Sequence, residues 1–263
     1  MKWYERFYQQ DFMEAVGFAS AEQTGKEVHF VKETLNCPKN AKILDLCCGY
    51  GRHTYLLAKS GDYHITGLDL SDHYLDIART KYSHPQVTYV KGDMRNIPYE
   101  NYFDAVINLF TSFGFFDRDE ENETVIKQVY KALKPGGLLL LDYENKFYFV
   151  YHDVSRRERY WEKVSDDKYL LFENEFDAEN EREIFKVHIL EKGILKETSG
   201  YNIRLYSFPE IKKMLTGNHF EIMQTWGDYQ GNPYSVRSKR LIILARKLIR
   251  EQHLAGDLDA EQR

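Results

Sequence analysis

The segment that most restricts the fold is KILDLCCGYGRHTYLLAKS, from Lys42 to Ser60. A short apolar strand, Lys42 to Leu46, passes through the turn Cys48-Gly49-Tyr50-Gly51 into an amphipathic helix that Gly61 closes. A loop joining strand to helix needs glycine where φ is positive and where a ligand approaches the backbone. One such unit commits the chain to layers, because its strand needs neighbours to satisfy its peptide groups. The neighbours follow in alternation. His64 to Leu70 reads as a strand ending at Asp69, with Ser71 capping the next helix, and Val87 to Val90 as a third ending at Gly92-Asp93. Phe103 to Phe110 is almost wholly apolar, as a strand buried on both faces should be, and Asp119 to Leu133 is the helix behind it. Pro135-Gly136-Gly137 then turns the chain into a fifth strand, Leu138 to Tyr143. Strands alternating with helices imply a parallel sheet with right-handed crossovers.

The rhythm breaks after Tyr143. Tyr169 to Phe176, Glu183 to Leu190 and Ile194 to Tyr206 are strand-like segments with no helix between them, which predicts an antiparallel insertion with one wet face. Ser207-Phe208-Pro209-Glu210 is a capping box opening a helix that stops near Gly217-Asn218. Phe220 to Trp226 and Leu241 to Ala245 form two last strands joined by a Gly/Asn/Pro-rich loop, an antiparallel hairpin at the sheet edge. Ahead of the core, Val28, Val31 and Leu35 recur at helical spacing between Ala21 and Asn36. Glu251 to Arg263 is polar and expected to fray. The division expected is a helical cap segment over 1–36, a core over 37–145 and 207–250, and a β cap over 146–206.

A chain of 263 residues is long enough for one large core without staples. With 36 Lys and Arg against 41 Asp and Glu, the net charge of -5 gives no field that draws a polyanion, so nucleic acid is excluded as a first partner. The three cysteines, two of them adjacent at Cys47 and Cys48, form neither a disulfide framework nor a metal pattern and suit a reducing, cytoplasmic setting. No segment reads as a signal peptide or membrane span. The 20 Tyr and 16 Phe, many outside the core, are enough to pack a cap or line a pocket.

The chemistry begins at Gly49-Tyr50-Gly51. Alone, that turn is equally an unliganded one. Asp45 in the strand before it and Asp69 at the end of the next strand change its meaning, since ligands of open α/β sheets sit at the carboxyl ends of strands and an acidic residue there accepts ribose hydroxyls. A nicotinamide dinucleotide calls for a third glycine under its pyrophosphate, where this chain has Thr54.

With those residues in place, ILDLCCGYGRHT, GLDLS, KGDMRNIP, FDAVINLFTSFGFF and LKPGGLLLLDY resemble the ordered motifs of class I S-adenosylmethionine-dependent methyltransferases, over residues 41 to 145 and again to about 247. FTSFGFF and the inserted strands resemble the small-molecule members, including those that methylate amino groups of sugars and of glycine. The resemblance implies a Rossmann-like, seven-stranded, mostly parallel sheet with helices on both faces, an antiparallel edge hairpin and an inserted antiparallel β cap. It implies S-adenosyl-L-methionine as cofactor, no metal, and a cofactor site of Asp45, Cys47, Gly49, Gly51, Asp69, Leu70, Asp93, Met94, Asn108 and Leu109. In it the glycine turn, from Cys47 on, passes under the methionine part. Asp69 binds the ribose diol, Leu70 packs on the adenine and Asp93 and Met94 hold its edge. Asn108 and Leu109 face the sulfonium, and Phe113 walls the acceptor pocket. Plainer roles stand beside these: Asp69 as support for a helix start, Asp93 as a turn residue, the cysteines as small packing groups, His53 as a packing residue.

The expected function is methyl transfer to a small-molecule nitrogen or oxygen nucleophile by in-line displacement. A noncatalytic S-adenosylmethionine-binding protein and an NAD(P)-dependent oxidoreductase are the alternatives. Base methylation is disfavoured because Asn108-Leu109-Phe110-Thr111 lacks the Asn-Pro-Pro-aromatic signature. The β cap and Trp3, Tyr4, Phe7 and Tyr8 are expected to close over the acceptor. Tyr8, Tyr143 and His152 are candidate bases, each with ordinary packing as the rival role. The sequence leaves open whether the chain is a homo-oligomer.

Overall fold

A computed structural model describes residues 20–154, 159–195 and 199–249. Trp3, Tyr4, Phe7, Tyr8 and the polar tail therefore lie outside the described residues.

The first β-turn-α unit forms as its sequence requires. Helix α1 (Ala21–Leu35) starts at Ser20, whose hydroxyl accepts from Gln23 N–H, and stops at a left-handed Asn36. Strand β1 (Lys42–Leu46) then runs through the glycine turn into α2 (Arg52–Ser60). Strand β2 (His64–Asp69), helix α3 (Asp72–Lys81) and strand β3 (Val87–Lys91) follow, then β4 (Phe103–Asn108), α4 (Asp119–Ala132) and β5 (Leu133–Glu144). After the second sheet come α6 (Phe208–Gly217), β11 (Phe220–Trp226) and β12 (Arg240–Lys247).

These strands make one seven-stranded sheet in the order β11-β12-β5-β4-β1-β2-β3. Pairing is parallel throughout except at β12, which runs antiparallel to both β5 and β11. Alternation along β1 divides the core: Ile43 packs with Val28, Val31 and Leu57 of α1 and α2, while Leu44 and Leu46 pack with Val125, Val129 and Leu215 of α4 and α6. The order reverses between β1 and β4, and the carboxyl ends of β1 to β4 meet at that crevice, where open α/β sheets bind ligands.

Between β5 and α6 lie a helical turn, α5 (Lys146–Tyr148), a π-helical turn (Phe149–Val154) and a second sheet of β6 (Arg159–Ser165), β7 (Lys168–Asp177), β8 (Arg182–Glu191), β9 (Ile194–Leu195) and β10 (Ser199–Arg204). Its order is β10-β8-β7-β6, with β9 pairing on β8. One tie between this sheet and the core runs through Arg204. The Tyr143 hydroxyl donates to the Arg204 carbonyl, and Arg204 N–H donates to Gly114 O at 2.8 Å. Gly114 has φ of 88°, and a Cβ there would lie 2.4 Å from Arg204 O, so only glycine fits.

Three local expectations are corrected. Strand β5 begins at Leu133, and Pro135-Gly136-Gly137 lies inside it as an irregularity opposite Phe103 to Ala105, with Gly136 at positive φ. Gly61 ends α2 in an extended conformation, not a left-handed one. Ile194 to Tyr206 is two strands rather than one, and β6 was not foreseen. Among the described residues no helix is long and apolar enough to cross a membrane.

Candidate active site

A cavity of about 240 Å³ opens at the crevice, bounded by the ends of β1 to β3 and by the segment after β4. Its floor is the glycine turn. Gly51 caps α2 with φ of 85° and sits under Tyr89; a Cβ there would come within 2.4 Å of the Tyr89 hydroxyl. Gly49, at φ of 54°, lines the cavity itself.

Three carboxylates converge on this floor. Asp45 is buried and its Oδ2 accepts from the Thr54 hydroxyl at 2.5 Å, so the residue that replaces a third glycine holds an acid in place. Burial pushes the Asp45 carboxyl up to about 6. Asp69 Oδ2 accepts from Gly49 N–H at 2.7 Å and Oδ1 from Ser71 N–H at 2.9 Å. One side chain thus fixes both the glycine turn and the start of α3, so the helix-support role exists alongside any ligand role. Burial raises its pKa as well. Asp93 accepts from Arg95 N–H at 2.8 Å and pairs with the Arg95 guanidinium at 2.6 Å. Burial works to raise its pKa, and the Arg95 contacts outweigh it and hold the carboxyl below its ordinary range.

Cys47, Leu70, Met94 and Leu109 also line the cavity. Burial pushes both adjacent thiols well above their ordinary value, so they stay protonated and pack; Cys47 Sγ lies 3.6 Å from Met94 Sδ. Among the described residues no group of three or more His, Cys, Asp or Glu is placed to hold a metal ion. Asn108 sits behind the wall, its Nδ2 donating to Leu46 O at 3.0 Å and Ser112 O at 3.3 Å. Its buried Oδ1 has no partner among the described residues. Of the ten candidate residues, only Gly51 and Asn108 do not face the cavity directly.

Phe113 does not wall a pocket. It is fully buried against Tyr143 and Tyr206, and Phe110, Phe115 and Phe116 of the same segment face the cavity instead. Tyr143 is likewise spent in the core, and Tyr148 stacks on His152 away from the lining residues. Among the described residues none from 146–206 lines the cavity.

Two buried networks that support the wall had no sequence signal. Phe110 and Thr111 both have positive φ, 56° and 58°, a strained pair for residues with a Cβ. Asp142 holds them: its Oδ2 accepts from Phe110 N–H at 2.8 Å and from the Tyr229 hydroxyl at 2.7 Å, and its carbonyl accepts from Thr111 N–H. Arg240 pairs with Asp142 at 2.7 Å and reaches Thr111 Oγ1 at 2.9 Å. The second network joins α1 to α2. Buried Glu27 accepts from Arg52 at 2.9 Å and Gln23 at 3.0 Å and pairs with His53 Nε2 at 2.9 Å. The His53 ring stacks on Phe110 with centroids 5.2 Å apart, and the Arg52 guanidinium lies over the same phenyl ring.

Residues 43–137 match the family model described as methyltransferase domain. The chain is 24% identical over 202 residues to the cypemycin N-terminal methyltransferase of a Streptomyces species, spanning 77% of this chain and 81% of that protein. It is 33% identical over 106 residues to the dTDP-3-amino-3,4,6-trideoxy-alpha-D-glucopyranose N,N-dimethyltransferase of Streptomyces venezuelae, 40% of this chain and 43% of that enzyme. Among solved structures, an S-adenosylmethionine-dependent methyltransferase from Clostridium acetobutylicum ATCC 824 has the same fold, with a TM-score of 0.73 at 18% identity over 88% of this chain and 93% of that one.

Proposed function

We propose that the chain is a class I S-adenosylmethionine-dependent methyltransferase that methylates a small-molecule nucleophile, nitrogen or oxygen, by in-line displacement in the cavity above Gly49. The observation that carries this reading is the set of acceptors. Asp45, Asp69 and Asp93 converge on one enclosed space, and the unpartnered Asn108 Oδ1 lies behind it. Such a site is rich in acceptors and negative charge, and it fits a ligand that is cationic and carries amine and hydroxyl donors. S-adenosylmethionine has all three features, and when bound it supplies a methyl group already activated on a sulfonium.

The chain's own work is then to bind, align and keep out water. Asp69 would hold the ribose diol with the lone pairs its two backbone contacts leave free, and Leu70 would pack on the adenine. Asp93 and Met94 would hold the adenine edge, and the backbone from Cys47 to Gly51 would pass under the methionine part. Asp45, whose ionised form is penalised by burial, gains most from a cationic ligand. Leu109 would face the sulfonium end, with Asn108 bracing the wall behind it. Phe110, Phe115 and Phe116 would present the acceptor from the open side.

An amine acceptor agrees best with this acidic, aromatic cavity, which attracts cations. Of the two relatives named above, one is by name an N-terminal methyltransferase and the other an N,N-dimethyltransferase. We further propose the division into a core over 37–145 and 207–250, an N-terminal segment over 1–36 and an insertion over 146–206, which lines none of the cavity through its described residues and closes over the acceptor only when ligand is bound. Hydrogen exchange tests the last point: protection in 146–206 should rise when S-adenosylhomocysteine and acceptor are bound, and unchanged protection would remove it.

The test of the central reading is thermal stabilisation by S-adenosylmethionine, S-adenosylhomocysteine, NAD and NADP. A ligand at about 100 times its dissociation constant adds roughly 2.7 kcal/mol. Stabilisation by the first two alone is expected. Stabilisation by a dinucleotide alone would overturn the reading, and binding without S-adenosylhomocysteine formation from any acceptor would favour a sensor.

A further inference from the structure

His53 has an arrangement that packing alone does not call for. It is buried, lines the cavity, and lies against Phe110 at the acceptor side. Its Nε2 is taken by Glu27 Oε2 at 2.9 Å. A carboxylate only accepts, so Nε2 carries the hydrogen and Nδ1 keeps its lone pair. Among the described residues Nδ1 makes no hydrogen bond, and the side chain that carries it lines the cavity. A carboxylate that fixes an imidazole tautomer and leaves the other nitrogen facing the reacting groups is the orientation a general base requires.

The charges around the ring keep it receptive. Glu27 from α1 and Asp142 from β5 favour the imidazolium, whereas burial and Arg52 from α2 oppose it, and Tyr229 and Arg240 lie beyond Phe110. Burial prevails and lowers the His53 pKa, so the imidazole is neutral near pH 7. Burial works to raise the Glu27 pKa, and its bonds from His53 and Gln23 and the charge of Arg52 outweigh it, so Glu27 is ionised.

We infer that His53, aligned by Glu27, is the base that takes the proton from an amine acceptor bound in its ammonium form; this rests on the function proposed above. A simple amine has a pKa of about 10 and at neutral pH has no lone pair to attack with. The proton passes from the ammonium nitrogen to His53 Nδ1, and the freed pair forms the nitrogen–carbon bond to the methyl group. The carbon–sulfur bond of the donor breaks with its electrons left on sulfur. The product leaves as a methylated ammonium, and His53 returns its proton to solvent. Glu27 is a positioning residue: it holds the tautomer and touches no reacting atom.

Three measurements on the full chain test this. Nitrogen NMR of histidine-labelled protein, with the His53 signal assigned by its absence in H53Q, should show a pyrrole-like Nε2 and an imine-like Nδ1 in the wild type, and E27Q should shift that tautomer balance. Diethyl pyrocarbonate should modify His53 in the free protein and spare it when S-adenosylhomocysteine is bound, read by peptide mass. S-adenosylhomocysteine formation with a panel of amino sugars, amino acids and alkylamines should fall about 10²- to 10⁴-fold in H53Q at pH 7 and recover as pH rises. A protonated Nδ1, an unreactive His53 in the free protein, or an H53Q rate equal to wild type at pH 7 would each overturn the assignment while leaving the methyltransferase intact. No turnover of the whole amine panel, with S-adenosylhomocysteine still bound tightly, would overturn the amine class. Failure of both S-adenosyl compounds to bind would remove the underlying reading itself.

Discussion

Asp142→Asn is the sharpest probe of the wall behind the cavity. The wild-type carboxylate is fully buried and accepts from Phe110 N–H at 2.8 Å, Tyr229 Oη at 2.7 Å and Arg240 Nε at 2.7 Å. Asparagine keeps the shape but loses the charge, turns one acceptor into a donor, and leaves the buried Arg240 guanidinium uncompensated. Breaking a buried ion pair from one side costs about 3–5 kcal/mol. The left-handed backbone at Phe110 and Thr111 stores about 1–2 kcal/mol per residue, which relaxes once its anchor weakens and offsets part of the loss. We expect a net loss of about 2–4 kcal/mol in urea unfolding at pH 7, with an unchanged denaturant slope. Adding Arg240→Met to Asp142→Asn should recover at least about 1 kcal/mol, because the stranded charge goes with it. A single-variant loss below about 1 kcal/mol, or a double variant no better than the single, would refute the reasoning that this pair anchors the turn.

Asp69→Ala removes charge-assisted bonds to the ribose and should weaken S-adenosylhomocysteine binding by about 1.5–3 kcal/mol in calorimetry, and unaltered affinity would end the ribose assignment. Gly51→Ala places a Cβ at positive φ and 2.4 Å from the Tyr89 hydroxyl; the left-handed penalty alone is about 1–2 kcal/mol, so a melting temperature equal to wild type would mean the turn is not so constrained. Asp45 has a folded pKa of about 6, above its ordinary value of 3.8, so the native state holds the proton more tightly and the ligand-free protein loses stability as pH rises between those values. Asp45→Asn should therefore stabilise the ligand-free protein at pH 8 by roughly 1–3 kcal/mol and flatten that decline, and a parallel pH dependence in the variant would contradict it.

Most of the seven-stranded sheet was legible because its strands carry local signals: a solid apolar run in β4, glycine after β1, Ser71 and Ser207 at helix starts. The acids that line the cavity were legible for the same reason, since Asp69 and Asp93 lie beside turn residues at strand ends and Asp45 lies in the strand that runs into the glycine turn. Strand β6, Arg159–Ser165, was not, because nearly all of its residues are exposed and no alternation marks them. The Phe110–Thr111 turn was hidden because neither residue is the glycine or asparagine that ordinarily announces positive φ. Phe113 was assigned to the pocket on segment identity alone, and local sequence does not say which of the four phenylalanines turns inward. Glu27 was missed because a charge on an amphipathic helix reads as a wet face. Its partners Arg52 and His53 lie 25 and 26 residues away, a separation that no periodicity reports.

The place of β12 in the sheet bears on how the protein is made. Strand β5, with Leu138 to Leu141 in a row, receives its second partner only from Arg240–Lys247, and the whole second sheet is synthesised in between. A ribosome adding about 5–20 residues per second takes roughly 5–20 s to cross that interval of about 100 residues. Throughout it, β5 presents an unpaired apolar edge of the kind that recruits other chains. A chain cut short before Arg240 would keep that edge for good, so the last strand of the sheet governs whether a truncated product stays in solution.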